Sequence, residues 1–110
     1  MATPSDENLL LCYCACPDRE SAQAIAQALV SEALAACVSC VPGMQSTYRW
    51  EGSLLSASEE LLLIKTTTAR FGALQARLLS LHPYEVPELI AVPVAASHEA
   101  YAAWVRQQVA

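Results

Sequence analysis

Residues 9 to 16, LLLCYCAC, are apolar at every position and end against Pro17 and Asp18, a pattern that predicts a short strand buried on both faces. The period then changes. Ala22, Ile25, Ala26, Leu29, Val30 and Ala33 fall on one stripe at helical spacing, and Asp18 stands where it can cap the helix. From Cys37 to Trp50 the chain turns to Val, Thr, Tyr and Trp, and Glu51-Gly52 offers a tight reversal into Ser53-Leu54-Leu55, so a β-hairpin is predicted. Pro42-Gly43 inside its first strand predicts a bulge that bends a long ribbon. The returning strand carries Leu61, Leu62, Leu63, Ile64 and Lys65 into the threonines at 66 to 68, with Thr68 as the expected cap of a second helix. That helix starts near Ala69 and places Phe71, Leu74, Leu78 and Leu81 on one face. It stops near His82, because the residue before Pro83 is pushed out of the helical region. Leu89 to Val94 reads as a further strand, in which Pro93 marks an edge or irregular pairing. Ser97 is the expected cap of a terminal helix that buries Ala100, Tyr101, Trp104 and Val105.

The order is βαββαβ with one helix appended, which predicts an α+β, ferredoxin-like fold with an antiparallel sheet. Residues 1–8 read as a flexible N-terminus and residues 9–110 as a single domain. In this fold the helices lie on one face of the sheet and the other meets water, where polar residues should alternate. The runs LLLCYCAC and LLLI are apolar on both faces instead. A second copy of the sheet is the simplest cover, so the pattern predicts an oligomer assembled sheet to sheet.

Charge narrows the function classes. The 110 residues include six Lys and Arg against eleven Asp and Glu, a formal net charge of −5. Nucleic acid and anionic lipid call for clustered basic residues, so no nucleic-acid partner is expected. No apolar run approaches the ~18 residues of a membrane span, and MATPSDEN lacks both the basic start and the apolar core of a secretory signal. A cytoplasmic location without membrane contact is therefore expected, with the five cysteines held as thiols.

The segments ALAACV, VPG, WEG, LLLIKT and HPYEVPE occur in the order and at the spacing of the CutA family of divalent-cation tolerance proteins, which residues 9 to 106 resemble. The resemblance implies a trimer-forming cytosolic ferredoxin-like protein, with the long hairpin bridging subunits and a likeness to the P-II signalling proteins. It also implies metal binding and a part in the response to metal ions, with copper first and zinc or another divalent cation second. Cys14 aligns with the family cysteine two positions before Pro-Asp, and His82 with the imidazole beside Pro-Tyr. These two are the implied metal ligands. Leu81 stands where such members can carry a further histidine.

Read from the residues themselves, Cys12, Cys14 and Cys16 share one strand face, where soft thiolates could gather Cu(I). Core packing accounts for Cys12 and Cys16. Cys37 and Cys40 have CxxC spacing but no second pair and no histidine pair of a zinc module. Tyr84, Glu85 and Glu88, with Trp50 and Lys65 from the hairpin, would line an inter-subunit cleft if assembly brings them together. Such a set suits either an interface or a small ligand. Glu59 and Glu60 read as the solvated start of a strand, and His98 as exposed in the first turn of a helix. The expected function is a homotrimeric metal-binding tolerance protein, not an enzyme. The alternatives are a P-II-like binder of small ligands, or a thiol-dependent enzyme with Cys14 as nucleophile and His82 as base.

Overall fold

The computed structural model describes residues 7–110. Its elements are β1 (Leu9–Cys16), α1 (Arg19–Ser31), β2 (Cys37–Trp50), β3 (Ser53–Thr67), α2 (Thr68–Leu81), β4 (Ile90–Pro93) and α3 (Glu99–Gln108). The strands form one antiparallel sheet in the order β2-β3-β1-β4, the ferredoxin-like α+β arrangement that the pattern predicts. Of the N-terminus expected to be flexible, residues 1–6 lie outside the described residues. Glu7 and Asn8 are fastened, through an Arg106 Nε–H donated to the Glu7 carbonyl and a Thr68 N–H donated to the Asn8 carbonyl.

Local chemistry sets the element ends. Asp18 Oδ1 accepts the Ser21 N–H at 2.8 Å, which satisfies one of the orphan donors at the start of α1. At the other end Ala33 has φ 57°, and the Leu34 and Ala33 N–H groups donate back to the Leu29 and Val30 carbonyls. This is a Schellman closure with alanine where glycine is usual, so Ala33 lies past the helix on whose stripe it was placed. In the hairpin, Glu51 (φ 51°) and Gly52 (φ 82°) are the two central residues of a turn whose flanks, Trp50 and Ser53, pair. Two positive φ values there match the right-handed twist of the strands. The β2–β3 register slips between Val41 and Met44, where Gly43 has φ 76°, so Pro42-Gly43 makes the predicted bulge.

Register divides the sheet into two faces. One carries Cys12, Cys14, Cys16, Leu62 and Ile64 and packs under Ala22, Ile25 and Leu29 of α1 and Leu74 and Leu78 of α2. Each fully buried Leu or Ile there contributes about 1.5–3 kcal/mol. The other face carries Leu11, Tyr13 and Leu63, with Ile90 and Val92 of β4 in register. It is covered at one end only, where α3 packs Ala102 and Val105, with Val109, on Leu9 and Ala36. Ile90, Val92 and Val41 are left exposed.

Several boundaries and faces differ from expectation. Thr67, not Thr68, is the N-cap of α2, and His98, not Ser97, that of α3; neither caps through its side chain. Strand β4 is shorter than Leu89 to Val94. In α3 it is Ala102 and Val105 that turn inward, onto Leu9 and Ala36. Ala100, Tyr101 and Trp104 stay exposed, and the two rings lie against each other at 5.7 Å. Val30 is likewise exposed.

Candidate metal centre and cleft

Pro83 ends α2 by holding His82 in an extended conformation (φ −75°, ψ 135°), which turns its imidazole toward the core. Strand β4 pairs with β1 only from Leu10 to Tyr13, so His82 reaches the stretch of β1 beyond that pairing. Its Nδ1 accepts the Tyr84 N–H at 3.1 Å, and Nε2 lies 2.8 Å from the Ala15 carbonyl oxygen. A backbone N–H can only donate and a carbonyl can only accept. The neutral ring therefore carries its proton on Nε2 and donates it to Ala15.

Around this imidazole the alternation of β1 places two thiols. The donor atoms of Cys14, Cys16 and His82 all lie within 4.8 Å of one another, and all three residues are buried. Cys14 and His82, the two expected ligands, are thus brought together. Cys16, read as plain core, stands with them because it shares the face of Cys14 two residues on. Interaction with the neighbouring Cys16 sulfur, followed by burial, raises the Cys14 thiol far above its ordinary range and lowers Cys16, while the Cys14 S–H is directed at the Ala15 carbonyl, 3.9 Å away. Burial pushes Cys12 up to about 11, and it remains a core thiol. Cys37 and Cys40 point to opposite faces of β2. The first lies 3.8 Å from Lys65 Nζ, and the second donates to Glu60, so their CxxC spacing does not make a chelating pair.

Two thiols and an imidazole are soft donors, suited to Cu(I) or Zn(II) and unsuited to the oxygen-seeking Mg(II) and Ca(II). Metal–sulfur bonds of about 2.3 Å span up to about 4.6 Å across an ion, which matches this cluster. His82 is the constrained member. Both of its nitrogens are engaged, so it joins a metal only by giving up the Tyr84 or the Ala15 hydrogen bond.

After His82 the chain passes to the other side of β1. Residues 83–88 and the turn-proximal half of the hairpin form a cleft of about 810 Å³, walled by Tyr48, Trp50 and Leu55 of the hairpin, by Tyr84, and by Glu59, Glu85 and Glu88. Trp50, Tyr84, Glu85 and Glu88, expected to meet in a cleft between subunits, line this cleft within one chain. Lys65 does not: it lies farther along β3 and donates to Ser39 Oγ at 2.7 Å. Glu59, expected in solvent, is only 7% exposed and accepts the Tyr84 hydroxyl at 2.7 Å. Its burial depends on a partner 25 positions away, which no local pattern reveals. Burial and that hydrogen bond raise the Tyr84 phenol well above its ordinary range. Arg49, a further lining residue, also carried no signal in the sequence. His98 is exposed, as expected.

Residues 10–108 match the family described as CutA1 divalent ion tolerance protein. The divalent-cation tolerance protein CutA of Thermus thermophilus is 50% identical over 91 residues, which cover 83% of this chain and 88% of that one. The chloroplastic CutA of Arabidopsis thaliana is 41% identical over 88% of this chain, which spans about half (53%) of that relative's length. Among solved structures, CutA from Xylella fastidiosa superposes with a TM-score of 0.92 at 43% identity, covering 94% of this chain and 99% of that one. With the ferredoxin-like topology carried through at these identities, the chain belongs to the CutA1 divalent ion tolerance family.

Proposed function

We propose that this chain is a homotrimeric, cytoplasmic metal-binding protein that takes up copper as Cu(I) and contributes to the response to metal ions. The observation that carries the reading is the buried cluster of Cys14, Cys16 and His82, with donor atoms within 4.8 Å of one another. Cu(I) is satisfied by two or three soft donors, whereas a closed zinc site draws on four. The cluster offers three among the described residues, which favours copper over zinc. Cys14 and Cys16 are the core of the site. His82 completes it when it releases one of its hydrogen bonds. Binding rather than catalysis suits the same geometry, because the imidazole has no free lone pair with which to act as base toward either thiol.

The uncovered apolar face supports the trimer. Val41, Ile90 and Val92 lie exposed on that side of the sheet, and Leu54 near the hairpin tip is 71% exposed. A chain whose cysteines are all thiols suits a reducing cytoplasm. Competition for Cu(I) against a chelator tests the site, with the parent compared with Cys14→Ser, Cys16→Ser and His82→Ala. The two serine variants are expected to lose most of the affinity and the alanine variant part of it. Unchanged affinity in all three would overturn the assignment. Light scattering tests the assembly, for which a mass near 11.8 kDa, that of one chain, would contradict the trimer.

A further inference from the structure

The geometry points to a binding site for a small organic cation, an ammonium group carrying an apolar or aromatic part, in the cleft between residues 83–88 and the turn-proximal half of the hairpin. This goes beyond metal binding and uses none of the proposed metal ligands: Cys14 and Cys16 point to the face of β1 opposite that of Ala15, which lines the cleft, and His82 adjoins the cleft only from behind Tyr84.

Charge selects the sign of the ligand. Three carboxylates, Glu59, Glu85 and Glu88, line the cleft against the single guanidinium of Arg49, an excess of negative charge that disfavours anions. Glu59 supplies an independent reason. It is 7% exposed and commits only Oε2, to the Tyr84 hydroxyl; Oε1 has no donor among the described residues. No buried side-chain oxygen or nitrogen among them lacks a partner, so Oε1 is not sealed. The opening available to this residue is the cleft that it lines. A carboxylate stripped of most of its water and given one neutral hydrogen bond is costly to hold, and a cation in the cleft compensates it. Burial and the bond to Glu59 hold the Tyr84 phenol in its protonated form, so its hydroxyl stays a donor to Oε2 and leaves Oε1 facing the cleft.

The walls select the rest of the ligand. Tyr48, Trp50 and Tyr84 flank the carboxylates with aromatic surface, which attracts cations over the ring faces and packs against apolar groups. A volume of about 810 Å³ is in the range of small-molecule pockets, and a bare metal ion would leave most of it unfilled.

The test titrates metal-free protein, in excess chelator, with 2-phenylethylamine, its acidic counterpart phenylacetate, and benzyltrimethylammonium, read by calorimetry and by Trp fluorescence. Both cations are expected to bind, and phenylacetate at least tenfold more weakly. Glu59→Gln, which keeps the shape and removes the charge, is expected to weaken the amine at least tenfold. Glu88→Gln, at an exposed position, gives a second reading that does not depend on the core. Cys14→Ser is expected to bind the amine as the parent does, which separates this site from the copper reading. The proposal is overturned if the amine fails to bind at millimolar concentration, if acid and amine bind alike, or if both glutamine variants bind as the parent does.

Discussion

Replacing His82 with alanine removes two hydrogen bonds that tie the end of α2 to β1 and to the loop that walls the cleft. The two losses differ in size. Ala15 is buried at 5% exposure, so its carbonyl keeps only the long Cys14 S–H contact at 3.9 Å, at a cost of about 1–3 kcal/mol. Tyr84 is exposed, water can reach its N–H, and that loss is about 0.5–1.5 kcal/mol. Together they predict a destabilisation of about 1.5–4.5 kcal/mol, a large share of the roughly 5–15 kcal/mol that holds a domain folded. Glutamine offers an amide N–H for Ala15 but cannot serve both partners, so His82→Gln is expected to recover about half of the loss. Urea denaturation at fixed pH and protein concentration, with chelator present, isolates this effect from metal and from assembly. Hydrogen exchange at the Tyr84 amide should accelerate more than exchange in the middle of α2. A loss below about 0.5 kcal/mol, within the range of an ordinary surface substitution, would refute the role of His82 as a tie.

Three further outcomes follow from individual contacts. Asp18 has its carboxyl pKa lowered below 3.8, first by the Ser21 N–H and then by the Ser21 side chain. Its stabilising contribution is therefore present above about pH 3.8 and fades as pH falls through the lowered folded-state value. Melting curves of Asp18→Ala and the parent should diverge at neutral pH and converge in acid. Thr66 is fully buried and donates its hydroxyl to the Leu34 carbonyl at 2.7 Å, so Thr66→Val should cost about 1–3 kcal/mol in urea unfolding. Trp50 is 43% exposed beside the hairpin turn and has little core of its own to enter. Trp50→Ala is expected to weaken assembly in dilution sedimentation more than it lowers subunit stability; equal assembly would remove its role as an anchor.

The parts of this fold written in short-range pattern were legible. The unbroken apolar run of β1, the helical stripe of α1, the Glu51-Gly52 turn and the Pro42-Gly43 bulge each depend on neighbours a few positions away, and each stands where the pattern predicts. The family resemblance brought out Cys14 and His82, whose meeting depends on how α2 ends against β1. Faces chosen by tertiary contact were less legible. In α3, aromatic bulk at Tyr101 and Trp104 suggests a buried face, but it is Ala102 and Val105 that turn inward. Glu59 looks like a strand start because its neighbour Glu60 is also acidic, and only Tyr84, brought round the end of β1, covers it. Cys16 shows how two readings can share one residue: it packs in the core and also stands in the cluster. Lys65 joins Ser39 because its register on β3 sets it opposite Cys37, away from the cleft.

The central claim is that buried sulfur, not surface carboxylate, receives the metal. Copper K-edge X-ray absorption on protein loaded with one equivalent of Cu(I) reads the first coordination shell directly. The expected shell is dominated by the two sulfurs of Cys14 and Cys16, with at most one nitrogen from His82, and the sulfur signal is lost in the Cys14→Ser, Cys16→Ser double variant. A shell of oxygen and nitrogen alone, or a sulfur shell that survives in the double variant, would contradict it.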